Sequence, residues 1–219
     1  MTRVRSASIR LTIVPPETRR PAMAPATRVG RVTDEITLAT SADRERVLGT
    51  LVAAFSADPV LRHLFPADTT YPRYAAAFFG RLFDKRVDDG TVWTIGRGGS
   101  VAMWDGPKAS DAPPGALDDL PADARARVDA YNAAVHDALP DEPFWYLGVL
   151  GTHPDHRGRR WGRALLADGL RRAADDGLAA VLETSNPGNV EVYRAAGFEV
   201  ARELTAGPLR VWVMARPAA

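Results

Sequence analysis

The chain is 219 residues long, 46% hydrophobic and 25% charged, with a formal net charge of +1 and no cysteine. That length suits one domain with a tail and is enough to bury a real core. The missing cysteines exclude disulfides, thiol catalysis and Cys-based zinc or iron–sulfur sites, and the small net charge gives no global field toward nucleic acid or an acidic membrane surface.

Residues 1–33 carry seven arginines against one acid, Glu17, together with Pro15, Pro16, Pro21 and Pro25. SIRLTIV is too short and too interrupted for the apolar segment of a secretory signal, so this stretch reads as a disordered basic tail, with Met23 an alternative start. Residues 34–219 read as a single domain. No apolar run approaches the roughly 18 residues of a membrane span, so no membrane role is expected and the cytoplasm is the expected compartment.

EITLAT (35–40) alternates and predicts a first strand. Thr40 or Ser41 caps a helix whose apolar positions Val47, Leu48, Leu51, Val52 and Phe55 follow the helical period, and ADP (57–59) breaks it. A second helix is expected from about Tyr71 to Val87, with Ala75, Phe78, Phe79 and Leu82 on one face. TVWTI (91–95), a GRGG turn and SVAMW (100–104) predict a hairpin. Residues 105–119 are rich in Pro, Gly and Asp and read as a loop. Pro121 opens a third helix with Ala124, Val128, Tyr131, Val135 and Leu139 as its buried stripe, ended by Pro140 and Pro143.

FWYLGVLGT (144–152) is almost continuously apolar, as expected of a strand covered on both faces. HPDHRGRRWGRALL (153–166) follows. Within it Gly162, Leu165, Leu166, and then Gly169, Leu170 and Ala173, mark an amphipathic helix. AAVLETS (179–185) predicts another central strand, NVEVYRAAG (189–197) a short helix stopped at Gly197, and FEVARELT and PLRVWVMAR two closing strands. Strand–helix–strand–helix after residue 144 predicts a βαβ unit, and the fold class is α/β (α+β in some schemes): a mixed, partly splayed sheet flanked by helices.

The helix that begins inside HRGRRWG would offer unpaired N–H groups and the positive end of its dipole. Gly158 and Gly162 would let phosphate oxygens approach that backbone, and Arg157, Arg159, Arg160 and Arg163 would add charge-assisted bonds. The pattern is neither a Walker loop nor a dinucleotide fingerprint. A solvated basic helix start is the competing reading. Two histidines and one acid at 153–156, without further clustered ligands, make poor metal geometry, so no metal site is expected.

Strand, then Arg157-x-x-Arg160-x-Gly162, then a helix containing Leu165 and Leu166, resembles motif A of the GNAT family of N-acetyltransferases. SNPGNVEVYRAAGFEV (185–200) resembles the family's motif B. VW (92–93), AMW (102–104), EPFW (142–145), HPDH and LETS (182–185) are similar to its puromycin N-acetyltransferase-like members. The resemblance spans about residues 35–216, strong after 142 and loose before it. Arg160 stands where the family pattern has its first glycine.

The resemblance implies acetyl-coenzyme A as co-substrate, held by the strand end Leu150, Gly151 and Thr152, where Gly151 is expected to remove side-chain bulk beside the ligand, by Arg157, Gly158, Arg159, Arg160, Trp161, Gly162 and Arg163, and by Asn186 and Asn189. Trp161 faces either the core or the adenine. The resemblance also implies transfer of the acetyl group to a primary amine of a small molecule, antibiotic-like in kind, by direct attack in a ternary complex. Tyr193 is the candidate general acid, since a phenol is protonated at neutral pH. Glu183, a carboxylate in an apolar strand, is the candidate base or amine-binding group. Asp58 is a further candidate for contacting the amine, and Trp93, Trp104, Tyr131 and Trp145 for lining the acceptor pocket. A non-catalytic coenzyme A-binding or regulatory module, and a protein N-acetyltransferase, are the alternative functions. No nucleic-acid partner is expected, and a homodimer stays open.

Overall fold

A computed structural model describes residues 34–107 and 119–218. The basic tail and most of the loop expected at 105–119 lie outside the described residues.

Seven strands form one mixed sheet in the order β1-β2-β3-β4-β5-β7-β6. The elements run β1 (Thr37–Leu38), α1 (Arg44–Ala54), α2 (Pro59–Leu64), α3 (Tyr71–Asp88), β2 (Val92–Ile95), β3 (Ser100–Asp105), α4 (Ala122–His136), β4 (Phe144–Thr152), α5 (Trp161–Asp175), β5 (Ala179–Thr184), α6 (Pro187–Arg194), β6 (Glu199–Ala206) and β7 (Leu209–Arg216). The expected class holds: an α/β fold with a mixed sheet flanked by helices. Only β4 and β5 are parallel, joined through α5 as the βαβ reading required.

Three expected boundaries move, each for a local reason. β1 is two residues long rather than six, because only Thr37 and Leu38 find ladder partners, Thr94 and Trp93. The ADP break after α1 is also a beginning. Asp58 accepts the N–H groups of Val60 and Leu61 at 2.9 and 3.0 Å and caps α2, whose first residue is Pro59. A residue that competes with one helix is thus a favoured cap of the next. The third helix stops at His136, before Pro140, and Leu139 stays buried beyond its end.

Two apolar cores lie on the two faces of the sheet. One, beneath α1 to α4, is built from Phe55, Phe65, Phe78, Phe79 and Phe83 with Tyr71, Tyr131 and Tyr146. The other, beneath α5 and α6, is built from Trp93, Trp104, Trp145 and Trp161 with Tyr193 and Phe198. Each such side chain contributes roughly 1.5–3 kcal/mol by leaving water. β4 is buried on both faces along nearly its whole length, as its apolar run predicted.

A long charged side chain penetrates the first core. Arg86, on α3, is fully buried and binds Asp105 at 2.6 Å and the carbonyl of Leu82 at 3.1 Å. Its guanidinium lies against Gly148, where a Cβ would come within 2.7 Å of Nη2.

Candidate active site

The site begins with a defect in the sheet. β4 and β5 pair only through Phe144↔Ala179, Trp145↔Ala180 and Tyr146↔Val181. On its other side β4 stays paired with β3 as far as Thr152, but the register jumps: Met103 faces Val149 and Trp104 faces Leu147. Gly148 is therefore the extra residue of a β-bulge. A bulge bends its strand and raises the local twist, and here it falls just where β4 parts from β5. The edge of β4 from Leu147 to Thr152 that faces β5 has no ladder partner there, so the sheet is splayed as expected.

The loop after β4 turns through two left-handed residues, Gly158 (φ 82°) and Arg160 (φ 63°), and Arg160 caps α5. The first bond into that helix is Ala164 N–H to the Arg160 carbonyl at 3.1 Å. Among the described residues, the N–H groups of Trp161, Gly162 and Arg163 have no backbone acceptor, and no acid stands in the first turn. Arg157, Arg159, Arg160 and Arg163 make no ion pair with a described residue. A helix start with free donors and uncompensated cations is a ready anion site.

Leu150, Thr152, Arg157, Gly158, Arg160, Trp161, Gly162 and Arg163 line one groove there, with about 660 Å³ of empty space that includes open solvent. His156, Leu166 and Val192, none of them among the expected cofactor contacts, line it as well. A Cβ on Gly162 would meet nothing nearer than Thr152 Oγ1 at 3.4 Å, so no contact within the protein demands glycine there.

Gly151 differs. Its Cβ would strike Leu51 and Phe55 at 2.8 Å. The glycine admits α1 on the opposite face, and the expectation that it clears space beside a ligand is corrected: only its backbone belongs to the splayed edge. Trp161 is 3% exposed and belongs to the core, although one edge reaches the groove. Its indole N–H donates to Asp34 at 2.8 Å and Arg159 stacks over its ring at 5.0 Å. His156 lies against it with ring centroids 5.0 Å apart, and burial, helped by Arg159, lowers the pKa of that imidazole.

Asn186 caps α6, accepting the N–H of Gly188 at 2.9 Å. Asn189 is fully buried and its side-chain carbonyl oxygen has no hydrogen-bond partner. Tyr193 is fully buried against Phe198, and its hydroxyl is likewise unpartnered. Burial, then Glu183, then Asp58 push its pKa well above 10, so the phenol is neutral and able to donate.

Glu183 is fully buried on β5 and accepts a hydrogen bond from the Tyr146 hydroxyl of β4. One further side chain on this face senses it. Tyr131, on α4, is 3% exposed, and its pKa is driven up by burial, then Glu183, then Asp58, against a smaller opposing effect of the Ser185 hydroxyl beside it. Asp58 is 7% exposed, and burial raises its pKa to about 7 despite the two capping N–H bonds. Tyr146 was not flagged from sequence. Its polarity inside an apolar run was the available signal. Trp93, Trp104 and Trp145 pack together in the core beneath α5, on the face opposite Tyr131.

Residues 125–198 match the acetyltransferase (GNAT) family. The matched segment holds the bulged strand, the basic helix start and Tyr193. This segment of the chain is similar to the GNAT acetyltransferases. The chain's fold is shared by a Corynebacterium glutamicum protein described as histone acetyltransferase HPA2 and related acetyltransferase. That protein is 23% identical with a TM-score of 0.61, over 84% of this chain and 96% of the other. Arylalkylamine N-acetyltransferase 2 of Aedes aegypti is 11% identical with a TM-score of 0.58, over 84% and 99%. An N-acetyltransferase of Staphylococcus aureus is 12% identical with a TM-score of 0.58, over 83% and 99%. At these identities the likeness is one of fold. The family matched by this segment is one of acetyltransferases. None of the chain's described helices is long and apolar enough to cross a membrane.

The groove suits acetyl-coenzyme A on the protein's own terms. Three free N–H groups and four unpaired arginines fit a diphosphate, and the unpaired edge of β4 fits an amide-bearing arm beside it.

Proposed function

We propose that this GNAT domain transfers the acetyl group of acetyl-coenzyme A to a primary amine of a small molecule, by direct attack in a ternary complex in the cytoplasm. The observation that carries the reading is that the basic start of α5 and the unpaired edge of β4 at Leu150 and Thr152 line one groove.

Trp161, Gly162 and Arg163 would hold the diphosphate with their N–H groups, and Arg157, Arg159, Arg160 and the Arg163 side chain would neutralise it. The free edge of β4 at Leu150, Gly151 and Thr152 would align the pantetheine arm and the thioester, with Asn186 and Asn189 beside it. The amine nitrogen then attacks the thioester carbonyl carbon. The C–N bond forms, the C–S bond breaks, and Glu183 takes the proton the nitrogen loses. Tyr193 gives its proton to the departing sulfur, so the products are an N-acetylated amine and free coenzyme A. With no cysteine in the chain, no acetyl-cysteine intermediate forms.

Similarity to puromycin N-acetyltransferase-like members supports an antibiotic-like amine as acceptor. The test is thiol release from acetyl-coenzyme A by the purified protein across a panel of amines that includes puromycin. Turnover of small amines is expected. Failure to bind acetyl-coenzyme A at about millimolar concentration, the weak end of specific affinity, would sink the reading.

A further inference from the structure

The hairpin turn between β2 and β3 supports the groove from beneath, although it falls outside residues 125–198. The Gly99 carbonyl accepts the N–H of His153 at 2.9 Å. A Cβ on Gly99 would come within 2.6 Å of the His156 ring and 3.0 Å of Trp161, and one on Gly96 within 2.5 Å of Trp161. The glycines of this turn therefore let the loop that leaves β4 settle directly on it.

Ser100 follows at once, as the first residue of β3, and is fully buried. Its hydroxyl donates to the Gly151 carbonyl at 3.3 Å and lies 2.8 Å from Thr152 Oγ1. Among the described residues, no other group bonds to the Thr152 hydroxyl, and Thr152 lines the groove. That hydroxyl stands 3.4 Å from where a Cβ on Gly162 would be, at the point where the strand edge meets the start of α5.

A serine hydroxyl has one hydrogen to give. With that hydrogen on the Gly151 carbonyl, the 2.8 Å contact takes its hydrogen from Thr152. The bonds then run from the Thr152 O–H to Ser100 Oγ and from the Ser100 O–H to the Gly151 carbonyl. Thr152 Oγ1 is left with lone pairs alone for the groove. An acceptor in that place repels a phosphate oxygen and takes an N–H. We infer that Ser100 is a positioning residue for the co-substrate: it fixes the Thr152 hydroxyl as an acceptor for an amide N–H of the pantetheine arm, and so marks where the arm begins beyond the diphosphate. A threonine hydroxyl without the serine would rotate to serve either group. The inference rests on the acetyltransferase reading and deepens it to the register of the arm along β4.

The test is calorimetry with acetyl-coenzyme A on wild type, Ser100→Ala, Thr152→Val, the double variant and Thr152→Ser. ADP, which carries the diphosphate without the amide arm, is measured by competition. If acetyl-coenzyme A does not bind the wild type, the acetyltransferase reading fails, and this inference with it. If it binds, Ser100→Ala and Thr152→Val should each weaken it by about five- to tenfold, the scale of one hydrogen bond, with a complex still formed. The double variant should lose no more than either single one, because both remove the same bond. Thr152→Ser keeps the hydroxyl and should bind within about twofold of wild type. ADP should compete within about twofold equally in all five proteins. Ser100→Ala leaves a buried carbonyl short of a donor, so its melting temperature should fall; a purely structural serine would show that fall with acetyl-coenzyme A affinity unchanged. Thr152→Val, at a half-buried position, carries the affinity reading if Ser100→Ala does not fold. The inference alone is overturned if the single variants bind within about twofold of wild type, if their effects add, if Thr152→Ser binds as poorly as Thr152→Val, or if ADP weakens in step. ADP that fails to compete at about 10 mM overturns it as well, since the arm would then not start from a diphosphate at α5.

Discussion

The two sides of the splayed sheet solve opposite electrostatic problems. On the α5 side the chain concentrates cations and free N–H donors at an exposed helix start, with water still present. On the α2–α4 side it buries the Asp58 carboxyl and the Tyr131 phenol, with both pKa values displaced upward. The first suits a large polyanion held by many exposed contacts. The second suits a small cation held by a few desolvated ones, where each bond is stronger and each error costs more. The difference teaches that donor affinity should survive the loss of single side chains, whereas acceptor recognition should not.

The sharpest way to break that contrast is at the backbone of the donor side. Gly162→Asp places a carboxylate among the free N–H groups. Acetyl-coenzyme A affinity should fall by about a hundredfold or more in calorimetry, by like-charge exclusion of the diphosphate. Because a Cβ there meets only Thr152 at 3.4 Å, the melting temperature should hardly move.

Tyr193→Phe probes the gap itself. Turnover should fall by about 10²-fold, the scale of one general acid, with acetyl-coenzyme A affinity unchanged. The fold should tolerate the change, since the lost hydroxyl has no partner.

Next comes the pH dependence of the acceptor side. The carboxyl of Asp58 is raised from 3.8 to about 7 in the folded protein, with Tyr71, Tyr131 and Tyr193 facing it. A raised acid favours the folded state below its unfolded value, and that advantage is lost as pH rises toward the folded value. The stability of Asp58→Asn relative to wild type should therefore increase between about pH 4 and pH 7 and then level off. Denaturant midpoints at pH 5, 6, 7 and 8 would read it. A flat difference would remove the buried carboxylate from the account.

The smallest effect is expected at Arg160, a non-glycine residue with φ 63° at the cap of α5. The left-handed region costs such a residue about 1–2 kcal/mol, part of which glycine loses again as chain entropy. Arg160→Gly should stabilise the protein by about 0.5–1 kcal/mol in urea denaturation and weaken acetyl-coenzyme A only slightly, since three other arginines remain.

The same two sides differ in how far the sequence revealed them. The donor side is one uninterrupted segment from Leu150 to Arg163, where strand, turn and helix start follow in order, so local pattern was enough to assemble it. The sequence also showed that Arg160 breaks the family's glycine pattern. It did not show that the residue inherits the left-handed backbone that glycine would occupy. The acceptor side draws Asp58, Tyr131, Tyr146, Glu183 and Tyr193 from five elements, and no periodicity links them. Asp58 looked like a helix breaker because the sheet that buries it is distant in sequence. Gly151 looked like room for a ligand because the helix that fills that room, α1, lies about a hundred positions upstream. The βαβ order was readable, but the bulge was not, since nothing in GVLG distinguishes an extra residue from an ordinary one.

The bulge at Gly148 also changes how β4 can be altered. Before it, Trp145 and Leu147 face α5 while Tyr146 faces the helices opposite; after it, Leu150 faces α5 while Val149 belongs to the other core. Alternation in twos therefore fails once, and the strand serves both sides with residues of either parity. Deleting Gly148 would restore ordinary alternation, with Val149 and Leu150 kept on the faces they now occupy, and leave Arg86 facing a regular strand. Only at the bulge can one residue be lost without exchanging faces; a one-residue insertion or deletion in the regular part of the strand is not a local edit but an exchange of the walls of the two chambers.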